Sequence, residues 1–250
     1  MKIALALSGG GARCLAQLGY IDVITQNLPI EIAMLSGSSG GAIAAAFLAQ
    51  QKKPQEILAI LQDFPFNKIK LNLLKGTIFD HAPLYEELQK LGFIDFQSLA
   101  LPLFITLTGY EDGKSYYVSS GDLARAMLAS SALLPIFAPI FFTDRLYIDG
   151  GLSDNLPLKP LHTFYKVAIN VNPLRLGHFS RTLWGNFKRA GYIMLNAQMQ
   201  KELANTYIEI EGVEKFGILD RKNFAKIYAL GQRQAQRDLR MWEEICLKNS

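Results

Sequence analysis

The chain has 250 residues, half of them hydrophobic and 19% charged, which describes one large domain or a tight pair with a sizeable core and excludes a disordered chain or a coiled coil. Its longest nearly uncharged apolar stretches, Gly40–Gln50 and Ala132–Phe142, fall well short of the roughly 20 residues that span a bilayer. A net charge of +4 is too small to imply nucleic-acid binding.

The first element is the apolar run Ile3–Leu7. It is shorter than the roughly 7–15 residues of a secretory h-region. It reads instead as a strand covered on both faces, in a cytoplasmic protein. Ser8–Gly11 is a glycine turn, and Ala12–Asn27 a helix with Leu15, Leu18, Ile21 and Ile24 on one stripe. Ile32–Leu35 is a second buried strand, Gly37–Gly41 a second glycine turn, and Ala42–Gln51 an alanine-rich helix. Pro54–Phe64 is a third helix, with its proline in the first turn. Lys68–Phe79 mixes bases with apolar residues without a clear period, and Leu84–Leu91 is helical.

Leu101–Tyr110 and Ser115–Ser119 read as strands joined through Asp112-Gly113, a hairpin signal. Leu123–Ser130 is helical, Ile140–Phe142 and Leu146–Ile148 are short strands, and Val167–Val171 is another buried strand. Residues 182–204 and 222–248 read as long helices. The alternation predicts an α/β fold with a mostly parallel sheet and helices on both faces, as a single domain over residues 1–250. Residues 175–250 hold 13 basic and 8 acidic side chains, against 13 and 14 in residues 1–174. A basic, helical C-terminal part suits an anionic surface such as a membrane face, or equally a solvated face of long helices.

The sharpest motif is Gly37-Ser38-Ser39-Gly40-Gly41, a Gly-x-Ser-x-Gly pattern centred on Ser39. A serine on a tight strand-to-helix turn holds its hydroxyl clear of the backbone, and Gly37 and Gly41 flank it where side chains would collide. The pattern alone arises by chance in roughly one such chain in twelve. Its position between a predicted strand and a predicted helix makes it specific.

Gly9-Gly10-Gly11-Ala12-Arg13 also lies between a strand and a helix. Its backbone N–H groups and the helix N-terminus suit a phosphate or an oxyanion. No Gly-Lys-Ser/Thr follows, and Cys14 breaks Gly-x-Gly-x-x-Gly, so a nucleotide site ranks last. Asp149-Gly150-Gly151, followed by Asn155-Leu156-Pro157, offers a base. A desolvated Asp149 takes a serine proton directly if its pKa rises above about 3.9; by itself it also reads as a turn aspartate. His162 and His178 are the alternative bases, without a local signature. The three histidines are too dispersed for a metal site, and Cys14 and Cys246 form no Cys-x-x-Cys pair.

Together these motifs resemble the patatin-like phospholipase family in order and spacing, along with Ala129-Ser130-Ser131-Ala132-Leu133-Leu134-Pro135. The resemblance covers about residues 1–172 and is greatest to the short bacterial members. It implies a three-layer α/β/α sandwich and a Ser39–Asp149 dyad, Ser39 as nucleophile and Asp149 as base. Gly9, Gly10, Gly11 and Arg13 would form the oxyanion loop. The implied reaction is hydrolysis of lipid acyl esters, of phospholipid or lysophospholipid, through an acyl-serine, with no metal or other cofactor. The family usually has glycine where this chain has Cys14.

Leu133, Leu134, Ile136 and Phe137 are candidate acyl-chain contacts, and equally good core. Phe64–Phe79, with Lys68, Lys70 and Lys75, and Phe179–Tyr192, with Trp184, Phe187, Lys188 and Arg189, are candidate membrane contacts or basic-rimmed packed helices. Two alternatives stay open: a lipid-binding or regulatory protein on the same fold, and acyl transfer to an acceptor other than water.

Overall fold

The computed structural model describes residues 1–71, 77–174 and 182–249. Strands β1 (Lys2–Leu7) and β2 (Glu31–Ser38) bracket helix α1 (Leu15–Asn27), and α2 (Gly40–Ala49) and α3 (Pro54–Asp63) follow. A two-residue pair, β3 (Lys70–Leu71) and β4 (Phe79–Asp80), precedes α4 (Tyr85–Lys90). Next come β5 (Leu103–Gly109), β6 (Ser115–Val118), α5 (Leu123–Ser130), β7 (Ile140–Phe142), β8 (Arg145–Asp149) and β9 (Tyr165–Asn170). The chain ends with α6 (Leu183–Ala197), β10 (Thr206–Glu209) and α7 (Phe224–Lys248).

One sheet runs in the order β10-β9-β1-β2-β5-β8-β7, with β6 on β5. β10, β9, β1, β2 and β5 are mutually parallel, while β6, β7 and β8 join antiparallel. The fold is a three-layer α/β/α sandwich. β1 lies inside the sheet between β9 and β2, and Ile3 to Leu7 have no exposed surface. Ile3, Leu5 and Leu7 join the large cluster built with α1, α2, α5 and α7. Ala4 and Ala6 face a second, smaller cluster of Leu156, Leu158, Leu161 and Met199.

The register on β5 positions the site. Ile105 pairs with both Gly37 and Val118, and Leu107 with both Tyr116 and Asp149. With β6 on one side throughout, β2 and β8 must share the other. They run in opposite directions along that side, so their C-terminal ends meet.

α7 belongs to the same core. It packs on α1 through Ile227, Tyr228, Ala235 and Trp242. The Trp242 indole N–H donates to the Tyr20 hydroxyl at 2.8 Å, and that hydroxyl donates to Asp238 at 2.9 Å. The helix expected from Ala12 starts instead as a tight 3-10 turn, Gly11–Cys14, because Gly11 sits at φ 56°.

Candidate active site

β2 ends at Ser38 and α2 starts at Gly40, which leaves Ser39 alone in the turn at φ 52°, ψ −126°. Such a backbone costs about 1–3 kcal/mol in a non-glycine residue and persists only where its surroundings enforce it. Here the Ser39 N–H donates to Ser130 Oγ at 2.8 Å, and Ser130 Oγ donates to the Thr106 carbonyl at 2.7 Å. The Ser39 carbonyl accepts from the N–H groups of Ala42 and Ile43, the first turn of α2. A Cβ on Gly41 would lie 2.5 Å from the carbonyls of Leu7 and Ser8, and one on Gly37 would lie 2.5 Å from that of Gly41. Strand and helix meet too closely there for side chains.

Asp149 closes β8. Its Oδ2 accepts from Ser39 Oγ at 2.6 Å, and its Oδ1 from the Gly151 N–H at 2.8 Å. The Asp149 N–H donates to the Ala132 carbonyl at 3.0 Å, and its carbonyl accepts from Thr108 Oγ1 at 2.8 Å. The residue is only 4% exposed. Burial pushes its pKa up to about 6, against the opposing pull of the hydrogen bonds from Ser39 and Gly151. A carboxylate that has become more basic and is bonded to a serine hydroxyl can exchange a proton with it near neutral pH.

The glycine loop leaves β1 beside this pair. The Gly9 N–H donates to the Asn155 carbonyl at 3.1 Å, and the Gly9 carbonyl accepts from Asn172 Nδ2 at 2.5 Å. Among the described residues, no group accepts from the N–H of Gly10 or Gly11. The Gly11 nitrogen lies 3.0 Å from where a Cβ on Gly40 would stand, so this loop adjoins the residue after Ser39. Arg13 is buried and turned to other partners. Its Nε donates to the Phe216 carbonyl at 2.7 Å, and its guanidinium bonds the Tyr192 hydroxyl and lies over that ring. It ties the loop to two C-terminal segments.

Cys14 takes ordinary helical angles, φ −62°, so glycine is not required at that position. Its buried thiol donates to the Ser8 carbonyl at 3.4 Å, and burial pushes its pKa well up.

Three polar residues with no sequence-assigned role complete the surroundings. Ser130 holds the turn at Ser39. Asn155 is buried, and its Oδ1 stands 2.6 Å from where a Cβ on Gly9 or on Gly151 would lie. Asn172 holds Gly9. Ser130 and Asn172 meet Ser39 and Gly9 across long stretches of sequence, so no local spacing marks them.

The alternative base His162 lies elsewhere. His162 is exposed and bonds the Pro160 carbonyl at 3.0 Å. His178 lies outside the described residues. Leu133, Leu134, Ile136 and Phe137 are half-buried beside Ala132. Lys68 pairs with Glu87 at 2.6 Å, while Leu73, Leu74 and Lys75 lie outside the described residues, as do Phe179 and the side chains of Trp184, Phe187 and Lys188. Among the described residues, no group of three His, Cys, Asp or Glu suits a metal, and no helix is long and apolar enough to cross a membrane.

A family model, patatin-like phospholipase, matches residues 5–162. An uncharacterised NTE family protein of Mycobacterium tuberculosis is 26% identical over 183 residues, 70% of this chain and 51% of that protein. Lysophospholipase NTE1 of Scheffersomyces stipitis is 22% identical over 97% of this chain and 18% of its own length. The chain thus spans about half the length, or less, of these relatives. Among solved structures, VipD from Legionella pneumophila matches with a TM-score of 0.56 and 15% identity, over 94% of this chain and 66% of VipD. That likeness is one of fold. The family match takes in the glycine loop, the Ser39 turn and Asp149-Gly150-Gly151 together, and the chain belongs to the patatin-like phospholipase family.

Proposed function

We propose that the protein is a serine lipid acyl hydrolase working through a Ser39–Asp149 dyad. The 2.6 Å hydrogen bond from Ser39 Oγ to a buried Asp149 carries this reading. Ser39 Oγ attacks the ester carbonyl carbon as its proton passes to Asp149 Oδ2. The carbonyl oxygen gains the negative charge and is met by the N–H groups of Gly10 and Gly11, beside the positive end of α2. The tetrahedral centre collapses, the ester C–O bond breaks, and Asp149 returns the proton to the leaving alkoxide. A water then gives a proton to Asp149 and attacks the acyl-Ser39 carbonyl. Ser39 leaves with that proton, and the fatty acid is released.

Arg13 is assigned to holding the loop, since its guanidinium bonds Phe216 and Tyr192. The name of the Scheffersomyces relative supports a lysophospholipid as the first substrate to try. The test is a fluorophosphonate probe with the labelled residue located by mass spectrometry, run beside lysophosphatidylcholine turnover. Labelling at Ser39 alone, with fatty acid released, supports hydrolysis. Labelling with fatty acid diverted to an added alcohol indicates acyl transfer. A folded protein that neither labels nor turns over is a binding protein, and the reading fails.

A further inference from the structure

α6 has two faces. Inward, the Tyr192 hydroxyl accepts from Arg13, and Asn196 Nδ2 donates to the Asn172 carbonyl at 3.0 Å. Asn172 in turn holds the Gly9 carbonyl. The helix therefore grips both ends of the Gly9–Arg13 loop and borders the site, beyond the C-terminal ends of β1 and β9.

Outward, the same helix exposes large apolar side chains. Leu183 and Met194, three helical turns apart and so on one face, are 85% and 64% exposed, and Ile193 beside them is 47% exposed. Ala190 and Ala197 are exposed on the same side. Large apolar side chains exposed together on one side of a helix mark a contact with something else.

The charge of the segment that holds α6 says what. Along the sequence, residues 155–201 contain seven Lys and Arg and no Asp or Glu. A second copy of this chain would set those cations against their own kind across the interface. An anionic lipid surface meets both demands, because its phosphates attract the cations and its acyl region takes the apolar side chains.

We infer that the outward face of α6 docks the protein on an anionic lipid surface at the rim of the Ser39 site. The inference rests on the lipid-ester reading for its purpose, and its test does not need turnover. The full chain is sedimented with vesicles of equal phosphatidylglycerol and phosphatidylcholine, and with phosphatidylcholine alone. The wild type should bind the first and not the second. The triple variant L183Q, I193Q, M194Q should bind at least tenfold more weakly while keeping its circular dichroism spectrum. Should the triple variant misfold, M194Q alone decides, with a threefold loss expected.

Equal binding by the folded variants would overturn the inference. So would no binding by the wild type, or equal binding to neutral vesicles. A wild-type dimer that the variants split into monomers would assign the face to self-association instead. Turnover of a short-chain water-soluble ester separates the two readings. If it persists while vesicle binding fails, docking is wrong and the hydrolase stands; if it is absent while vesicle binding holds, the reverse is true.

Discussion

Ser38 and Asp149 pair with neighbouring residues on one side of a single strand, Ser38 with Thr106 and Asp149 with Leu107. β2 arrives parallel to β5 and β8 antiparallel, so the two strand ends face each other. The residue after Ser38 then meets the Asp149 carboxylate. The separation of hydroxyl and carboxylate is thus set by the sheet ladder rather than by a loop. A slip of one residue would move either end by about 3.3 Å and part them.

That geometry predicts that Ser39→Ala and Asp149→Asn each lower ester hydrolysis by at least about 10^4-fold, since a nucleophile and its base act as a unit. His162→Ala should leave most of the activity, because that ring bonds its own turn at Pro160. His178→Ala should do the same. Steady-state kinetics of the four variants on one soluble ester checks the assignment. A histidine variant as impaired as Ser39→Ala would replace the dyad with a triad.

Asp149 also predicts two pH effects of opposite sense. Its base form is the ionised one, so kcat/KM should rise through a pKa of about 6 and fall about tenfold between pH 7 and pH 5. Stability runs the other way. The folded pKa, about 6, lies above the ordinary 3.8, so between those values the folded protein holds more protons than the unfolded chain. Stability contributed by this group is therefore full below about pH 3.8 and is lost as pH rises toward 6, on the order of 3 kcal/mol. Asp149→Asn removes the cost of a buried charge and can still accept from Gly151 and pair with Ser39. The inactive variant should melt above the wild type at pH 7 and lose that advantage near pH 4. Calorimetry at the two pH values decides; a lower melting temperature at pH 7 would count against the raised pKa.

Much of this site could be read along the chain, and the reason is local. Two glycine turns between a buried strand and a helix, and an Asp-Gly-Gly after a short strand, are patterns of a few residues. The apolar runs at Ile3–Leu7 and Val167–Val171 marked strands because both faces of the sheet are covered there. The side of β5 that β8 takes is set by pairing between distant segments, and no spacing shows it. Ser130, Asn155 and Asn172 were invisible as supports for the same reason. Arg13 was legible as a charge beside the glycines, but its partners Phe216 and Tyr192 lie about 180 to 200 residues away, and no spacing shows them.

Ser130 is the support most open to test. Its Oγ is buried, accepts from the Ser39 N–H and donates to the Thr106 carbonyl. Ser130→Ala leaves that N–H without its acceptor, at about 1–3 kcal/mol. It should also release the strained turn, so that Ser39 presents its hydroxyl less often. We expect kcat to fall by about 10- to 100-fold with KM little changed, and fluorophosphonate labelling of Ser39 to slow in parallel. Unchanged kcat would mean that the turn holds without this bond.

Trp242 tests whether the basic C-terminal part folds with the sheet as one unit. Its indole is fully buried between α7 and α1, and its N–H reaches the Tyr20 hydroxyl. Trp242→Ala removes the largest side chain of that contact and should cost about 3–5 kcal/mol. Trp242→Phe keeps most of the packing and loses the hydrogen bond. Tyr20 would still donate to Asp238, so that change should cost about 1–2 kcal/mol. If residues 224–248 belong to the same cooperative unit, both variants shift one unfolding transition, and ester hydrolysis is lost along it at the same denaturant concentration. A separate early transition that spares activity would make α7 an appendage to the sheet rather than part of its cooperative unit.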